Sequence, residues 1–466
     1  MKDSYDFIVI GGGSAGYAGA SAAAKLELTT LVVEGGRDVG GLCILRGCMP
    51  SKTLLESGHR AAAIGEAAEF GLHAEYFGPN AAAILARKRR LIAEFADYRR
   101  GQLEGGRFDF VRGHAEFVDA HTIDIRLPDG GMQRVKGRAF LIATGSKIGG
   151  PKVEGLDAVG FWTSDDVLDA DTIPASVCIL GGGAIAMEMA SYYAGIGVPT
   201  SVIQRGDHVL KDLDADVADA LTVAMEKRGV KMFRDTKLLR VSVSAEGKCV
   251  HFEHEGAERT ITAAQIIYAL GRVPAIEGIG LDRAGVPTAR GIVASATQQC
   301  GAPHLFAAGD VCSPHEVVHI AIQQGEIAAR NAARVLGKPH VALEHIDYAL
   351  KLYVVFTHPE VAAVGLGEHE CAAQKLDIVI AKYAFADHGK SMVRGATDGF
   401  VKLISDRATK RILGGACVGP EASELIHEIV VAMRFGATAG QLATTPHYHP
   451  TLSEIWTYPA EELAEA

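Results

Sequence analysis

The sequence lacks the features that mark several large classes of protein. Its 466 residues carry a formal net charge of −10, so there is no positive field to attract nucleic acid or an anionic membrane. Apolar runs of membrane-spanning length are missing, because Glu188 interrupts the nearest candidate, residues 176–200. Asp3 and Asp6 stand where a signal peptide would be basic. We therefore expect neither nucleic acid nor a membrane as a partner.

Cysteine is sparse as well. Eight cysteines scattered over the chain do not form the dense disulfide framework of a small secreted protein. This usage predicts a cytoplasmic protein. Two of the cysteines, Cys43 and Cys48, lie close together in the segment GGLCILRGCMPSK and require a separate explanation.

Glycine, in contrast, is in excess: 54 of 466 residues, about 12% against a typical value near 7%. This excess indicates tight turns and close approaches of the backbone to ligands. Two segments, residues 6–34 and 177–205, share one plan, in which an apolar strand, a glycine turn, a helix and a second apolar strand follow each other. Each is typical of a βαβ unit with buried parallel strands, and two copies predict two dinucleotide sites.

The first copy has the spacing G-x-G-x-x-G at Gly11, Gly13 and Gly16. Such glycines let the backbone approach a pyrophosphate at the N-terminus of the following helix. Glu34 ends the next strand, 21 residues after Gly13, where a carboxylate can hold a ribose 2′-hydroxyl. The alternative is a glycine turn that serves only to pack a helix on a sheet.

The second copy has the variant G-x-G-x-x-A, with Ala186 in the third position. At the place of the acidic residue it carries Gln204, followed by Arg205, with Lys211 further on. A carboxylate would repel a 2′-phosphate, whereas a guanidinium binds it through charge-assisted hydrogen bonds. The comparison of the two copies favours NADP(H) over NAD(H) at this site. The alternative is a surface arginine at a strand end.

Cys43 and Cys48 are five residues apart. On a regular helix their Cα atoms would lie roughly 8–9 Å apart, whereas a disulfide requires less than about 7 Å. A disulfide here requires a distorted backbone, which Gly47 permits, and a strained, accessible disulfide is typically catalytic. Lys52, four residues after Cys48, would share its helical face and favour a thiolate. A zinc site is the alternative, although a second ligand pair is not placed for it.

The motifs GGGSAG, GGLCILRGCMPSK, ATGS, GGGAIAMEMA, ALGRVP, FAAGD and HPTLSE follow one another along the chain. In that order they resemble the FAD-dependent pyridine nucleotide–disulfide oxidoreductases, the group of dihydrolipoamide dehydrogenase, glutathione reductase and mercuric reductase. The resemblance implies an α/β fold with two Rossmann-like dinucleotide-binding domains and a C-terminal α+β dimerisation domain. The implied boundaries are 1–148 with 270–340 for the FAD-binding domain, 149–269 for the NAD(P)-binding domain and 341–466 for dimerisation.

The resemblance also implies catalytic roles. Cys43 would be the interchange thiol that attacks the substrate, and Cys48 the thiolate that faces the flavin. Lys52 and Glu188 would pair beside the flavin N5. His449 and Glu454 would form a catalytic dyad that reaches the cysteines from the other subunit, so a homodimer is implied. A histidine stabilised as imidazolium by a carboxylate can indeed exchange protons with a thiol, although His449 taken alone could be a surface histidine.

The residues that the resemblance assigns to FAD come from the first copy and from later strand ends: Gly11, Gly13, Ser14, Ala15, Gly16, Glu34, Gly35, Gly41, Lys52, Ala115, Thr144, Gly145, Asp310 and His319. Those assigned to NAD(P) lie in and after the second copy: Gly181, Gly183, Ala184, Ile185, Ala186, Glu188, Gln204, Arg205, Lys211 and Gly271. No metal is expected.

Within the family, HPTLSE and PSK resemble dihydrolipoamide dehydrogenases, whereas Ala186, Arg205 and Lys211 resemble NADPH-using glutathione reductases. Ser21 and Glu326 stand where glutathione reductases carry arginines, which disfavours glutathione, and the cysteine pair that ends mercuric reductases is missing after Cys417. We expect NAD(P)H, NADPH favoured, to reduce FAD, then the Cys43–Cys48 disulfide, then a small or protein-bound disulfide of lipoyl type. The alternatives are a glutathione or mercuric reductase-like enzyme, a flavin transhydrogenase or oxidase that does not use the dithiol, and a non-catalytic binding protein on this fold.

Overall fold

The computed structural model describes residues 2–150, 153–338 and 340–466. Its strands are β1 (Ser4–Ile10), β2 (Thr30–Glu34), β3 (Asp109–Arg112), β4 (His114–Asp119), β5 (Thr122–Arg126), β6 (Met132–Ile142), β7 (Ser146–Ile148), β8 (Trp162–Thr163), β9 (Val177–Leu180), β10 (Thr200–Ile203), β11 (Lys231–Phe233), β12 (Lys237–Ser244), β13 (Gly247–His254), β14 (Ala257–Ala263), β15 (Gln265–Tyr268), β16 (Arg272–Pro274), β17 (Leu305–Ala307), β18 (Leu352–Val355), β19 (Glu360–Gly365), β20 (Ile378–Ala384), β21 (Phe400–Asp406) and β22 (Ile412–Gly419).

Its α-helices are α1 (Ser14–Lys25), α2 (Gly41–Leu45), α3 (Cys48–Gly65), α4 (Ala81–Glu104), α5 (Leu156–Val159), α6 (Ser164–Asp169), α7 (Ala184–Gly195), α8 (Ala215–Lys227), α9 (Val318–Val335), α10 (Glu368–Ala373), α11 (Gly389–Val393), α12 (Ala422–Arg434), α13 (Ala439–Ala443) and α14 (Thr457–Glu465). Short 3₁₀ helices occupy Ala67–Phe70, Phe385–Asp387 and Ser453–Trp456. Among the described residues, no helix has both the length and the apolar character to cross a membrane.

The chain divides into two compact units. The first unit is built from Met1–Pro50, Ala86–Gly149 and Arg272–Asp347. Its main sheet has the order β3-β2-β1-β6-β5-β4, with β17 also paired to β6. The strands β3, β2, β1, β6 and β17 run parallel, so their carboxyl ends meet at one edge, where α/β folds hold their ligands. Helices α1 and α9 pack together in this unit over a core rich in alanine.

The second unit is built from Ser51–Leu85, Gly150–Gly271 and Tyr348–Ala466. It contains a parallel sheet of order β11-β10-β9-β15-β8, a three-stranded antiparallel sheet β12-β13-β14, and an antiparallel sheet of order β18-β19-β22-β21-β20. The apolar face of α12 packs on β22 and β19 of the last sheet. Fully buried Trp456 lies in the core of this C-terminal part.

The two predicted βαβ units are confirmed, and their turns are geometrically alike. Gly11 follows β1 with φ of 108°, and Gly181 follows β9 with φ of 120°, both in the range that favours glycine. A Cβ atom at either position would lie 2.4 Å from a backbone oxygen, that of Ala143 or that of Ala269. Both turns therefore exclude side chains for the same steric reason, which is why the sequence pattern repeats.

Candidate active site

The first cradle is the turn between β1 and α1. Gly13 is the N-cap of α1 and offers no capping side chain, so the backbone N–H groups of the first helical turn remain available to an anion. A Cβ atom at Gly16 would lie 1.8 Å from the carbonyl oxygen of Gly11, so the helix can approach the turn only with glycine there. The cradle thus provides the uncapped helix end that a diphosphate requires.

Glu34 closes this cradle from the end of β2. Its side chain is buried, 8% exposed, and its carboxylate accepts hydrogen bonds from the backbone N–H of Gly12 at 2.8 Å and of Gly36 at 2.6 Å. Each carboxylate oxygen retains acceptor capacity beyond one such bond. The carboxylate is therefore fixed beside the glycine turn, where it can also accept a hydrogen bond from a ribose hydroxyl.

The other predicted FAD residues gather largely at the same edge of the first unit. Asp310 follows β17, and its carboxylate accepts the hydroxyl proton of Ser146 at 2.7 Å. Thr144 follows β6 and donates to the carbonyl oxygen of Ala275 at 2.7 Å. The parallel pairing of β1, β6 and β17 brings these groups near the glycine turn. His319 lies in the first turn of α9, whereas Ala115 is buried in β4.

The second cradle lies in the second unit, between β9 and α7. Gly183 is exposed and caps α7 without a side-chain hydrogen bond, and a Cβ atom placed on it would meet nothing within 4 Å. Gln204 lies under the turn, where its amide donates to the carbonyl oxygen of His208 at 3.3 Å. Arg205 and Lys211 are exposed. The site therefore combines an open helix N-terminus with an uncharged amide and two nearby cations.

The two cysteines lie on either side of a break between α2 and α3. Arg46 closes α2 by donating its N–H to the Leu42 carbonyl at 2.8 Å, and Cys48 begins α3. A Cβ atom at Gly47 would lie 3.3 Å from the Cα atom of Cys43 and 3.0 Å from the Leu42 oxygen. Gly47 therefore packs closely on the backbone of Leu42 and Cys43, at the point where the helix is interrupted between the two cysteines. Both cysteines are half-buried.

Lys52 and Glu188 form an ion pair within the second unit. The Lys52 Nζ atom lies 2.8 and 2.9 Å from the two carboxylate oxygens, and 4.6 Å from the centroid of the Phe356 ring. Glu188 is 5% exposed and also accepts the backbone N–H of Phe356 at 3.2 Å. Glu188 is thus a buried charge of α7 that is satisfied by a cation and an amide, as a buried carboxylate must be.

His449 and Glu454 form the second predicted pair, near the end of the chain. The Nδ1 atom of His449 lies 3.0 Å from a carboxylate oxygen of Glu454. The histidine side chain is 81% exposed, whereas that of Glu454 is 11% exposed. A fixed, buried carboxylate therefore orients an imidazole whose other nitrogen faces outwards, as proton exchange with an external group requires.

Comparison with known proteins agrees with this geometry over the whole chain. A model of the family described as pyridine nucleotide-disulphide oxidoreductase matches residues 5–325. A model of the dimerisation domain of the same enzymes matches residues 352–460. The chain belongs to the pyridine nucleotide-disulphide oxidoreductase family. It is therefore an oxidoreductase of disulfide chemistry that works with FAD and a pyridine nucleotide, which confirms the predicted fold class and reaction class.

Several members of this family are similar to the chain from end to end. A dihydrolipoyl dehydrogenase of Thermus scotoductus is 34% identical over 99% of this chain and 97% of its own length. One of Bacillus subtilis is 33% identical over 98% and 96%. The solved structure of LpdA from Mycobacterium tuberculosis has a TM-score of 0.87 at 29% identity, covering 98% of this chain and 99% of that one. The flavoprotein disulfide reductase RclA of Escherichia coli shares the fold, with a TM-score of 0.85 at 24% identity.

Three residues with notable charged or buried contacts were not found from the sequence. Arg99 of α4 stacks its guanidinium 4.2 Å from the Tyr17 ring; burial lowers its pKa, while the charges of Tyr17 and Cys43 oppose that shift. His388 is fully buried beside Glu454, and Lys402 is buried among acidic side chains of the second unit. None of the three lies in a motif, and each acquires its neighbours only through tertiary packing.

Proposed function

We propose that the protein is a homodimeric flavoprotein reductase that passes two electrons from NADPH through FAD and the Cys43–Cys48 pair to a lipoyl-type disulfide. The observation that carries the proposal is the backbone at Gly47. It interrupts the helix between two half-buried cysteines, in the same unit as the glycine cradle of Gly11 and Glu34. A disulfide between residues five apart requires such a break, because an unbroken helix would hold their Cα atoms roughly 8–9 Å apart.

The residues of the first unit fit FAD. The uncapped start of α1 would receive its diphosphate, Glu34 its ribose and Asp310 its ribityl chain. When bound, FAD supplies a carrier that takes two electrons from a nicotinamide and gives them to a disulfide. Residues 1–148 and 270–340 are proposed as the FAD-binding domain and residues 149–269 as the nucleotide-binding domain. Lys52 and Glu188 are proposed, from the resemblance, to lie beside the flavin.

The two reduced cysteines would act in sequence on the substrate. The Cys43 thiolate attacks one sulfur of the substrate disulfide, forms a mixed disulfide and releases the other sulfur as a thiolate. His449, held by Glu454, donates a proton to that thiolate. The Cys48 thiolate then attacks the Cys43 sulfur, which restores the disulfide and releases the second substrate thiolate. Each turnover uses two electrons and two protons.

A dimer is part of the proposal because the exposed imidazole of His449 needs a second copy of the chain to bring cysteines against it. His449 is 81% exposed and turns towards solvent, and the matched dimerisation domain spans the segment that holds it. We propose that a second copy of the chain places its cysteines against this imidazole. A lipoyl-type substrate is proposed because the relatives that cover the whole chain are dihydrolipoyl dehydrogenases. A cytoplasmic location remains a prediction from the scattered cysteines.

NADPH is proposed as the preferred nucleotide. Gln204 occupies in the second unit the place that Glu34 occupies in the first, and its uncharged amide does not repel a 2′-phosphate. The exposed cations of Arg205 and Lys211 would bind that phosphate. Family membership requires a pyridine nucleotide, and these side chains support the proposal of NADPH rather than NADH.

The decisive experiment is anaerobic turnover of Cys48→Ser, with lipoamide or ferricyanide as acceptor and with NADPH or NADH as donor. We expect the variant to retain FAD and to reduce ferricyanide, which takes electrons from the flavin directly, but to lose lipoamide reduction. Cys312→Ser, which changes another half-buried cysteine of the first unit, is the control and should behave like the wild type. Full lipoamide turnover by Cys48→Ser would overturn the relay and favour a flavin transhydrogenase or oxidase.

A further inference from the structure

Glu454 contacts two histidines rather than one. Its Oε2 atom lies 3.0 Å from Nδ1 of His449, and its Oε1 atom lies 3.3 Å from Nε2 of His388. His449 comes from the same C-terminal segment, whereas His388 lies between β20 and α11, far away in the sequence. The carboxylate therefore lies between an exposed imidazole and a fully buried one.

His388 is held in a defined orientation. Its Nδ1 atom lies 2.9 Å from the hydroxyl of Ser391, which is itself fully buried. Its Nε2 atom is buried and makes no aligned hydrogen bond within the described part of the chain, and the Glu454 oxygen at 3.3 Å is its acidic neighbour. The Tyr458 ring lies edge-on at 6.3 Å. The ring is thus held by Ser391 on one side, and its Nε2 atom lies 3.3 Å from the carboxylate on the other.

The titratable groups around His388 come from three elements. Glu454 and His449 face it from the segment after α13, Tyr458 faces it from α14, and Tyr383 of β20 stacks on Tyr458 at 4.0 Å. Burial lowers the pKa of His388, and the Glu454 carboxylate opposes that shift. A neutral imidazole carries one proton, which lies on either Nδ1 or Nε2.

The position of that proton follows from the surroundings. A proton on Nδ1 would turn the lone pair of Nε2 towards the carboxylate, which is repulsive. A proton on Nε2 faces Glu454 and leaves Nδ1 to accept the hydroxyl proton of Ser391. The hydrogen-bonding network therefore assigns the proton to Nε2.

We propose that His388 is a positioning residue of the His449–Glu454 dyad. His388 donates a hydrogen bond from Nε2 to Glu454 and so keeps that carboxylate ionised and oriented towards His449. The inference rests on the proposed function, because it assumes that the dyad exchanges protons with the substrate thiols. Glu454 is 8% exposed, so water can contribute little to its solvation and donors from the protein must do so. Without His388, the carboxylate would rotate or take a proton and no longer support an imidazolium.

The test compares three substitutions of His388 in the FAD-loaded enzyme. His388→Gln places an amide N–H near the position of Nε2, facing Glu454. His388→Asn provides a polar group only on the side that faces Ser391. His388→Phe has no polar group on either side. We expect His388→Asn and His388→Phe to lower disulfide turnover roughly 10- to 100-fold, as for the loss of a hydrogen bond to a charged group. His388→Gln should restore most of it, and ferricyanide reduction should be unchanged in all three.

The pH profile separates positioning from a structural role. In His388→Asn and His388→Phe the acid limb of disulfide turnover should move to higher pH, because a buried carboxylate without a donor is protonated more readily. In His388→Gln it should stay in place. Equal losses in all three variants with an unmoved acid limb, or wild-type turnover in His388→Phe, would overturn the inference.

A parallel variant, His449→Gln, distinguishes failure of the inference from failure of the proposed function. If His449→Gln loses disulfide turnover while His388→Phe does not, the dyad acts without His388 and only the inference is wrong. If His449→Gln itself turns over the disulfide like the wild type, the proposed function is wrong at its proton-exchange step.

Discussion

Replacing Lys402 by methionine would test how the second unit holds helix α8 against its C-terminal sheet. The Lys402 Nζ atom, in a side chain that is 1% exposed, lies 2.7 Å from Asp214, 2.7 Å from Asp216 and 2.8 Å from Glu368. Asp214 and Asp216 lie at the start of α8, which follows the second cradle, whereas Lys402 lies in β21 of the C-terminal sheet. These three acidic side chains are close enough together to resemble a metal site, but the Lys402 ammonium group lies among them and pairs with all three.

The magnitude follows from the burial of the partners. The Asp214 side chain is 9% exposed and would lose its ion pair, keeping the Glu368 backbone N–H at 2.9 Å and the His369 Nδ1 atom at 3.3 Å, whereas Glu368, at 41%, is screened by water. Removing one partner of a buried ion pair costs about 3–5 kcal/mol. For a unit of this size a loss of 1 kcal/mol lowers Tm by roughly 2–4 °C, so Lys402→Met should lower it by roughly 10 °C. Isosteric methionine limits the contribution from lost packing.

Tryptophan fluorescence is a suitable assay, because both tryptophans, Trp162 and Trp456, belong to the second unit. Lys382→Met is the matched control, since Lys382 also binds Asp216 but is 43% exposed. Its loss should cost no more than about 1 kcal/mol. Equal midpoints for Lys402→Met and Lys382→Met would refute the assignment of the stability to the buried ammonium.

The same cluster predicts a pH dependence. Burial raises the pKa of Asp214 and of Asp216, but the Lys402 ammonium, together with Lys382 for Asp216, outweighs it and holds both pKa values below 3.8. Burial likewise lowers the pKa of Lys402, but the surrounding carboxylates outweigh it and hold that pKa above 10.5. A lowered acidic pKa stabilises the fold above 3.8 and loses that effect as the pH falls through the folded value. A raised lysine pKa stabilises it below 10.5 and loses that effect at higher pH. The difference between wild type and Lys402→Met should therefore be constant from about pH 5 to pH 10 and shrink outside that range.

Two further predictions concern the nucleotide sites. Glu34→Gln should weaken FAD retention by about 10- to 100-fold, because the side-chain amide cannot accept hydrogen bonds from both Gly12 and Gly36, so one charge-assisted bond is lost. FAD release on dilution measures the effect, with the exposed Asp38→Asn as the control. Unchanged retention would contradict the role of the carboxylate. Arg205→Glu should raise KM for NADPH at least about tenfold and change KM for NADH much less, because the phosphate loses its cationic partner and is repelled by the new carboxylate. Steady-state kinetics measure both KM values, with Lys231→Glu as the control for an added negative charge. An unaltered ratio of the two KM values would mean that Arg205 does not bind the phosphate.

Much of the fold could be predicted from the sequence, because its signals are local. The period of the apolar residues defines a strand, and a glycine that must adopt a positive φ marks the turn that follows it. Gly11 and Gly181 satisfy this condition, so both βαβ units were recognisable without any tertiary information. The break at Gly47 was similarly local, since two cysteines five residues apart on an unbroken helix could not bond.

The contacts that complete the site are not local. Glu454 meets His388, and Lys402 meets Asp214, across long stretches of sequence and through strand pairings that no motif specifies. Buried polar residues of this kind look unremarkable in a sequence, because their function depends on the partner and not on the residue type. Arg99 shows the same limit, since its contact with Tyr17 depends on how α4 packs beside α1.

The two βαβ units share the backbone features that suit diphosphate binding and differ in the side chains that would determine which nucleotide is preferred. At both copies the strand end, the positive-φ glycine and the uncapped helix start are alike, so both can bind a diphosphate. The side chain under the turn differs: Glu34 is anchored by two backbone N–H groups, whereas Gln204 donates its amide to a carbonyl. In the proposed function, the charged acceptor Glu34 would bind a free ribose hydroxyl, whereas the neutral amide of Gln204 beside Arg205 would admit a phosphate. The proposed selectivity for NADPH would therefore depend on side chains at the end of the second strand of a shared backbone, and substitutions there should alter it without disturbing the fold.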